Sequence, residues 1–216
     1  MNTDRLIDML SVDPEPVDGG QLGKVLLPAI VTGGAAAVAL MFATVGPRPD
    51  LQSTAHLEWL AVKLLFALSM VAIGAPLLNR SMRPGLEDET NWVVICLPFL
   101  VAIAAALATL LVGQPQGWVA MLSGATRVSP ARCLFCILFF AAIPMTAIIC
   151  ALRQGAPTRL RLCGGIAGIV AGGLGAAAYA FSCRSDTIPF IAIWYGTAIV
   201  LCAVIGAQLG PRVLRW

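Results

Sequence analysis

Six long apolar stretches separated by short polar ones organise this chain. A helix needs roughly 20 apolar residues to cross the hydrocarbon core of a bilayer. Six segments reach that length: Val25–Val45, Trp59–Leu78, Trp92–Val112, Cys133–Leu152, Leu162–Phe181 and Pro189–Leu209. None shows the every-second-residue alternation of a membrane β-barrel strand. The longest connection, Gly113–Arg132, carries Trp118 and Met121 and reads as a small amphipathic segment on the outer surface. No linker divides the chain into separate domains. The pattern predicts an all-α membrane protein, with a short cytoplasmic N-terminal arm over 1–24 and a six-transmembrane-helix bundle over 25–216.

Composition sharpens this picture. Of 216 residues, 59% are hydrophobic and 12% charged, about half the charged fraction of a soluble domain. Lipid therefore has to serve as solvent for most of the surface. The net charge of +3 is spread along the chain, which argues against direct nucleic-acid binding. Residues 1–24 are polar and acidic, unlike a secretory signal peptide. Lys and Arg placement sets the orientation. Arg5, Lys24, Arg80, Arg83, Arg153, Arg159, Arg161, Arg212 and Arg215 fall on one side, and Arg48, Arg127, Arg132 and Arg184 on the other. The excess puts both termini in the cytoplasm of a multi-pass inner-membrane protein.

The arm contains Asp4, Arg5, Leu6, Ile7, Asp8, Met9 and Leu10. Thr3 can N-cap a short helix there, with Asp4 in its first turn, where the helix dipole favours an acid. Leu6, Met9 and Leu10 share a face, and Pro14 and Pro16 end the helix. So short a helix gains stability from a partner, so the arm reads as a docking peptide for a cytoplasmic protein. A leader without fixed structure is the plainer reading.

The cysteines are Cys96, Cys133, Cys136, Cys150, Cys163, Cys183 and Cys202. Most lie within apolar stretches, where cysteine acts as a small hydrophobe. Cys133 opens the fourth span and Cys183 follows the fifth, both at the outer face. Consecutive antiparallel helices are normally neighbours, so the two can face each other on the side where a disulfide persists. Cys136 lies one turn deeper and completes a Cys-x-x-Cys pattern, a redox or soft-metal motif in other settings.

The fifth span carries Gly164, Gly168, Gly172, Ala176 and Ala180 at four-residue spacing, a stripe for close helix packing within the bundle. A homodimer contact is the alternative. Lys63 is the only ionisable group inside a span, one turn from Trp59, and is expected to snorkel to the outer interface. His56, the single histidine, is expected in a solvated loop. Pro76, Pro98 and Pro144 are candidate kinks. The chain contains no phosphate loop, Ser-His-Asp constellation or HExxH motif, so it reads as neither an enzyme nor a cofactor protein.

Several segments stand out together: Thr3–Leu10, the loop Arg153-Gln154-Gly155-Ala156-Pro157-Thr158-Arg159, and the glycine-rich span leading to Tyr179-Ala180-Phe181-Ser182-Cys183. Trp194-Tyr195-Gly196 and the terminal Gly210–Trp216 complete the set. In these segments the chain resembles the NrsF family of bacterial inner-membrane anti-sigma factors. The resemblance implies a six-span protein that sequesters an extracytoplasmic-function (ECF) sigma factor of the SigF type. It would release this partner under periplasmic oxidative or heavy-metal stress, with Cys133 and Cys183, and Cys136 beside them, as the sensing residues. Phe181-Ser182-Cys183 departs from the Leu-His-Cys ending expected of the family. A metal-binding histidine would be missing here, whereas a thiol mechanism is untouched. Two other readings stay open from the residues alone. One is a membrane thiol-disulfide oxidoreductase working with a quinone. The other is a small-solute transporter, against which the lack of acids inside the spans counts.

Overall fold

The computed structural model describes residues 21–49, 54–82, 92–112, 116, 118–119, 129–155, 157 and 159–214. The arm residues Asp4 to Leu10 lie outside the described residues. Every regular element described is helical. Six helices are long and apolar enough to cross a membrane. We label them α1 (Gln21–Thr44), α2 (Thr54–Ser81), α3 (Val93–Leu111), α4 (Pro130–Leu152), α5 (Leu160–Ala180) and α6 (Ile188–Val213).

The helices outrun the apolar stretches at several ends. Helix α1 begins at Gln21 rather than Val25, and α2 runs Thr54–Ser81 rather than 59–78. Backbone hydrogen bonding propagates readily through polar residues once a helix is nucleated. Pro28, Pro76 and Pro144 lie inside α1, α2 and α4. Pro98 instead sits at the start of the regular α-helix Leu97–Leu111, after a 3₁₀ stretch at Trp92–Cys96. There its missing N–H costs no hydrogen bond.

Helix α5 is the centre of the bundle. Of its spanning window 83% is buried, against 11% for α3 at the periphery. Its small residues make this possible. A Cβ at Gly164 would collide with the Gly206 carbonyl, and one at Gly168 with the Cys202 carbonyl. A Cβ at Gly175 would sit 2.7 Å from the Ile137 carbonyl of α4, and one at Gly173 2.8 Å from the Ala67 carbonyl of α2. The glycine stripe is thus used inside the chain, chiefly against α6, and is not free for a second copy.

Large apolar side chains point outward on the other five helices, among them Leu27, Leu65, Leu100, Phe135 and Val200. The α5–α6 contact leads to a graded expectation. Gly168→Ile should cost about 3 kcal/mol, the upper part of the usual range for overpacking, because backbone, not a flexible side chain, must yield. Gly165→Ala should be tolerated, since its Cβ would meet Ala207 at an ordinary 3.6 Å. Equilibrium unfolding in detergent micelles would compare the two.

A candidate thiol site braced by a charge cluster

The site forms at the end of the bundle where α1 and α5 finish and α2, α4 and α6 begin. Helix α1 terminates at Thr44, and Gly46 takes a left-handed φ of +75°, the conformation a helix-ending glycine adopts most cheaply. The Gly46 N–H donates to the Met41 carbonyl at 3.0 Å, and its own carbonyl accepts from the Ser182 hydroxyl. That turn delivers Arg48 to the loop after α5, where the Arg48 N–H donates to the Phe181 carbonyl at 3.1 Å.

Helix α2 presents His56 and Lys63, seven residues apart and so on one face. Both point towards the loop between α5 and α6. Lys63 Nζ donates to Asp186 Oδ1 at 2.7 Å and to the Cys183 carbonyl at 3.0 Å. Arg48 Nη1 donates to both oxygens of Asp186, at 3.0 and 3.1 Å, and to the Cys183 carbonyl at 3.2 Å. His56 Nδ1 lies 3.2 Å from Asp186 and 3.1 Å from Arg48 Nη2. Lys63 is therefore not snorkelling. It is 1% exposed and sits in an ion pair. Nor is His56 in a solvated loop, since it occupies the first turns of α2 and joins the cluster. Both expectations failed for one reason: their carboxylate partner is far away in sequence.

The cluster surrounds the backbone of Cys183, and the Cys183 side chain meets that of Cys133. Both are free thiols with no exposed surface. The two side chains lie close enough to act on each other. Cys136 stands one turn along α4, half-buried, with Arg132 as its hydrogen-bonding neighbour. So the structure brings Cys133 and Cys183 together and leaves Cys136 at the margin. Tyr195 is fully buried beside Cys183, on the wide π-turn Ile191–Tyr195 of α6. Its hydroxyl is close enough to act on the thiol but lacks full hydrogen-bond geometry to any partner. Turns of this kind are frequent at functional sites.

The charge count explains the chemistry of Cys183. Among the described residues, two buried cations, Lys63 and Arg48, face one carboxylate, so the local balance favours a second anion. The hydrogen bond from Cys133, with the Lys63 ammonium beside it, draws the Cys183 thiol down to about 6 against the cost of burial. For Asp186, burial pushes the carboxyl up, but Lys63 and Arg48 outweigh it and hold it below its ordinary value. A thiolate is the nucleophilic and metal-binding form of cysteine. Alkylation of Cys183 in a Cys133-containing protein is expected to titrate near pH 6 rather than near 9. Lys63→Met should move that midpoint upward. A maleimide rate profile followed by mass spectrometry would read it, and a wild-type midpoint near 9 would contradict the assignment. Among the described residues, no three His, Cys, Asp or Glu side chains gather as metal ligands.

Sequence reasoning reached the cysteine pair but missed Asp186 and Arg48. The available signal was weak: Asp186 is the one acid in the short segment between Cys183 and Pro189.

Comparison with known proteins adds an independent finding. The family model described as "Negative regulator of sigma F" (NrsF) matches residues 10–216. The chain is 33% identical to a probable anti-sigma-F factor NrsF of Azospira oryzae, over 218 aligned residues that cover all of both chains. It is 31% identical to the anti-sigma-F factor NrsF of Caulobacter vibrioides, again over the full length of both. No solved structure matches.

Proposed function

The chain belongs to the NrsF family, and from that premise we propose that it is a membrane-bound anti-sigma factor, a regulator rather than an enzyme. It holds an ECF sigma factor of the SigF type in the cytoplasm. It releases that partner when oxidants or heavy metals outside the cell modify Cys133 and Cys183. The observation that carries this reading is the family match over nearly the whole chain.

Several features support the finer parts. The outward-facing apolar side chains on five helices suit a lipid surface. The Lys and Arg bias supports a cytoplasmic side for both termini and a periplasmic side for the thiol end. The arm, with Asp4, Arg5, Leu6, Ile7, Asp8, Met9 and Leu10, then lies on the sigma-factor side and leads into α1 at Gln21.

The Cys183 carbonyl is gripped by Lys63 of α2 and by Arg48 just beyond α1. Oxidation of the pair joins the Cys183 thiolate sulfur to the Cys133 sulfur and passes two electrons and the Cys133 proton to the oxidant. A soft metal ion displaces the same proton. Either change moves Cys183 against its bracing and reaches α1 and α2, whose opposite ends face the cytoplasm.

Deletion of residues 1–16 tests the dock. The truncated chain is expected to insert normally and to retain its sigma factor at least tenfold more weakly in co-purification from membranes. Undiminished retention would show that the arm is not the dock.

A further inference from the structure

A polar cavity of about 360 Å³ opens beside the thiol site. Its walls include three guanidinium side chains, Arg48, Arg132 and Arg184, with the hydroxyls of Ser129 and Ser182. None of the described lining residues is acidic. Asp186, which neutralises the cluster next door, is not among them. Arg132 and Arg184 are exposed, but Arg48 is 6% exposed, and its Nε is buried without a hydrogen-bond partner. An unpaired buried donor on a charged group is costly to leave unmet.

Ser129 is also the N-cap of α4, a helix of 23 residues, and its hydroxyl makes no capping bond. The dipole of that helix terminus adds to the positive field. Three features thus meet at one space: guanidinium groups of which Arg48 alone shares a carboxylate, Asp186, among the described residues, the unmet buried Nε of that same arginine, and the N-terminus of α4.

We propose that this cavity binds a phosphate-class oxyanion, presented either as a free ion or as the headgroup of an anionic lipid. Guanidinium forks and hydroxyls match the oxygens of such a group, and bidentate pairing favours arginine over lysine for it. The site bears on the thiols because two of its walls, Arg48 and Ser182, also hold the loop that carries Cys183. This inference does not depend on which protein the chain binds.

The test uses the full chain in nanodiscs of pure phosphatidylcholine, and in nanodiscs of phosphatidylcholine with phosphatidylglycerol in equal parts. Calorimetric titration with inorganic phosphate reads the free ion. The shift in melting midpoint between the two disc types reads the lipid. Arg132→Gln with Arg184→Gln should weaken phosphate binding at least tenfold or abolish the phosphatidylglycerol shift, according to which source fills the site. Arg184→Gln alone serves if the double variant does not accumulate. Arg80→Gln with Arg161→Gln, an equal loss of charge at the opposite end, should change neither reading. The proposal is overturned if neither phosphate nor phosphatidylglycerol affects the wild-type chain. It is equally overturned if the two variants respond alike.

Discussion

Asp186→Ala is expected to destabilise the bundle by about 3–5 kcal/mol, the usual cost of removing one partner from a buried ion pair. The reason lies in the charge count. Among the described residues, Asp186 is the only carboxylate bonded to Lys63 and Arg48, which are 1% and 6% exposed. Without it, two cations share the Cys183 carbonyl and, among the described residues, nothing anionic except the thiol. Lys63→Met should cost less, because one guanidinium then balances one carboxylate. Equilibrium unfolding in micelles would rank the two. A loss below about 1 kcal/mol for Asp186→Ala would mean that the cations reach water and behave as a surface pair. Acid should act in the same direction. Because the folded-state carboxyl of Asp186 lies below its ordinary value, its contribution is complete at neutral pH. That contribution fades as pH falls from the ordinary carboxylate range through the lower folded value.

The same cluster explains what could and could not be read from the sequence. The spans were legible because twenty apolar residues in a row have few other uses. The role of Gly164, Gly168 and Gly172 was legible because four-residue spacing puts them on one helix face. The meeting of Cys133 and Cys183 followed from placing both at the same end of consecutive antiparallel helices. The clamp was not legible. Asp186 lies 123 positions from Lys63 and 138 from Arg48, and no local pattern joins them. Lys63 taken alone therefore looked like a snorkelling side chain, and His56 like a loop residue. The turn at Gly46, which carries Arg48 to the α5 loop, is a tertiary fact that neither hydropathy nor charge bias encodes.

The second large expected effect concerns signalling. Release of a partner requires two bundle states that differ in affinity for it, and the thiol chemistry must favour one of them. Coupling of about 3 kcal/mol corresponds to a change of roughly 150-fold in affinity. The buried contact between the Cys133 and Cys183 side chains is well placed to supply it. Its conversion to a covalent bond repositions a residue whose carbonyl accepts from both Lys63 and Arg48. Cys183→Ser and Cys133→Ser should each abolish the response while leaving retention of the sigma factor intact. Cys136→Ser, at the margin of the pair, should alter it little.

The most direct measurement is the affinity of the purified sigma factor for the full chain in nanodiscs, taken before and after diamide oxidation. Wild-type protein is expected to lose affinity by roughly 150-fold on oxidation, and the two serine variants at positions 133 and 183 to lose none. Equal affinities for reduced and oxidised wild-type protein would contradict the account.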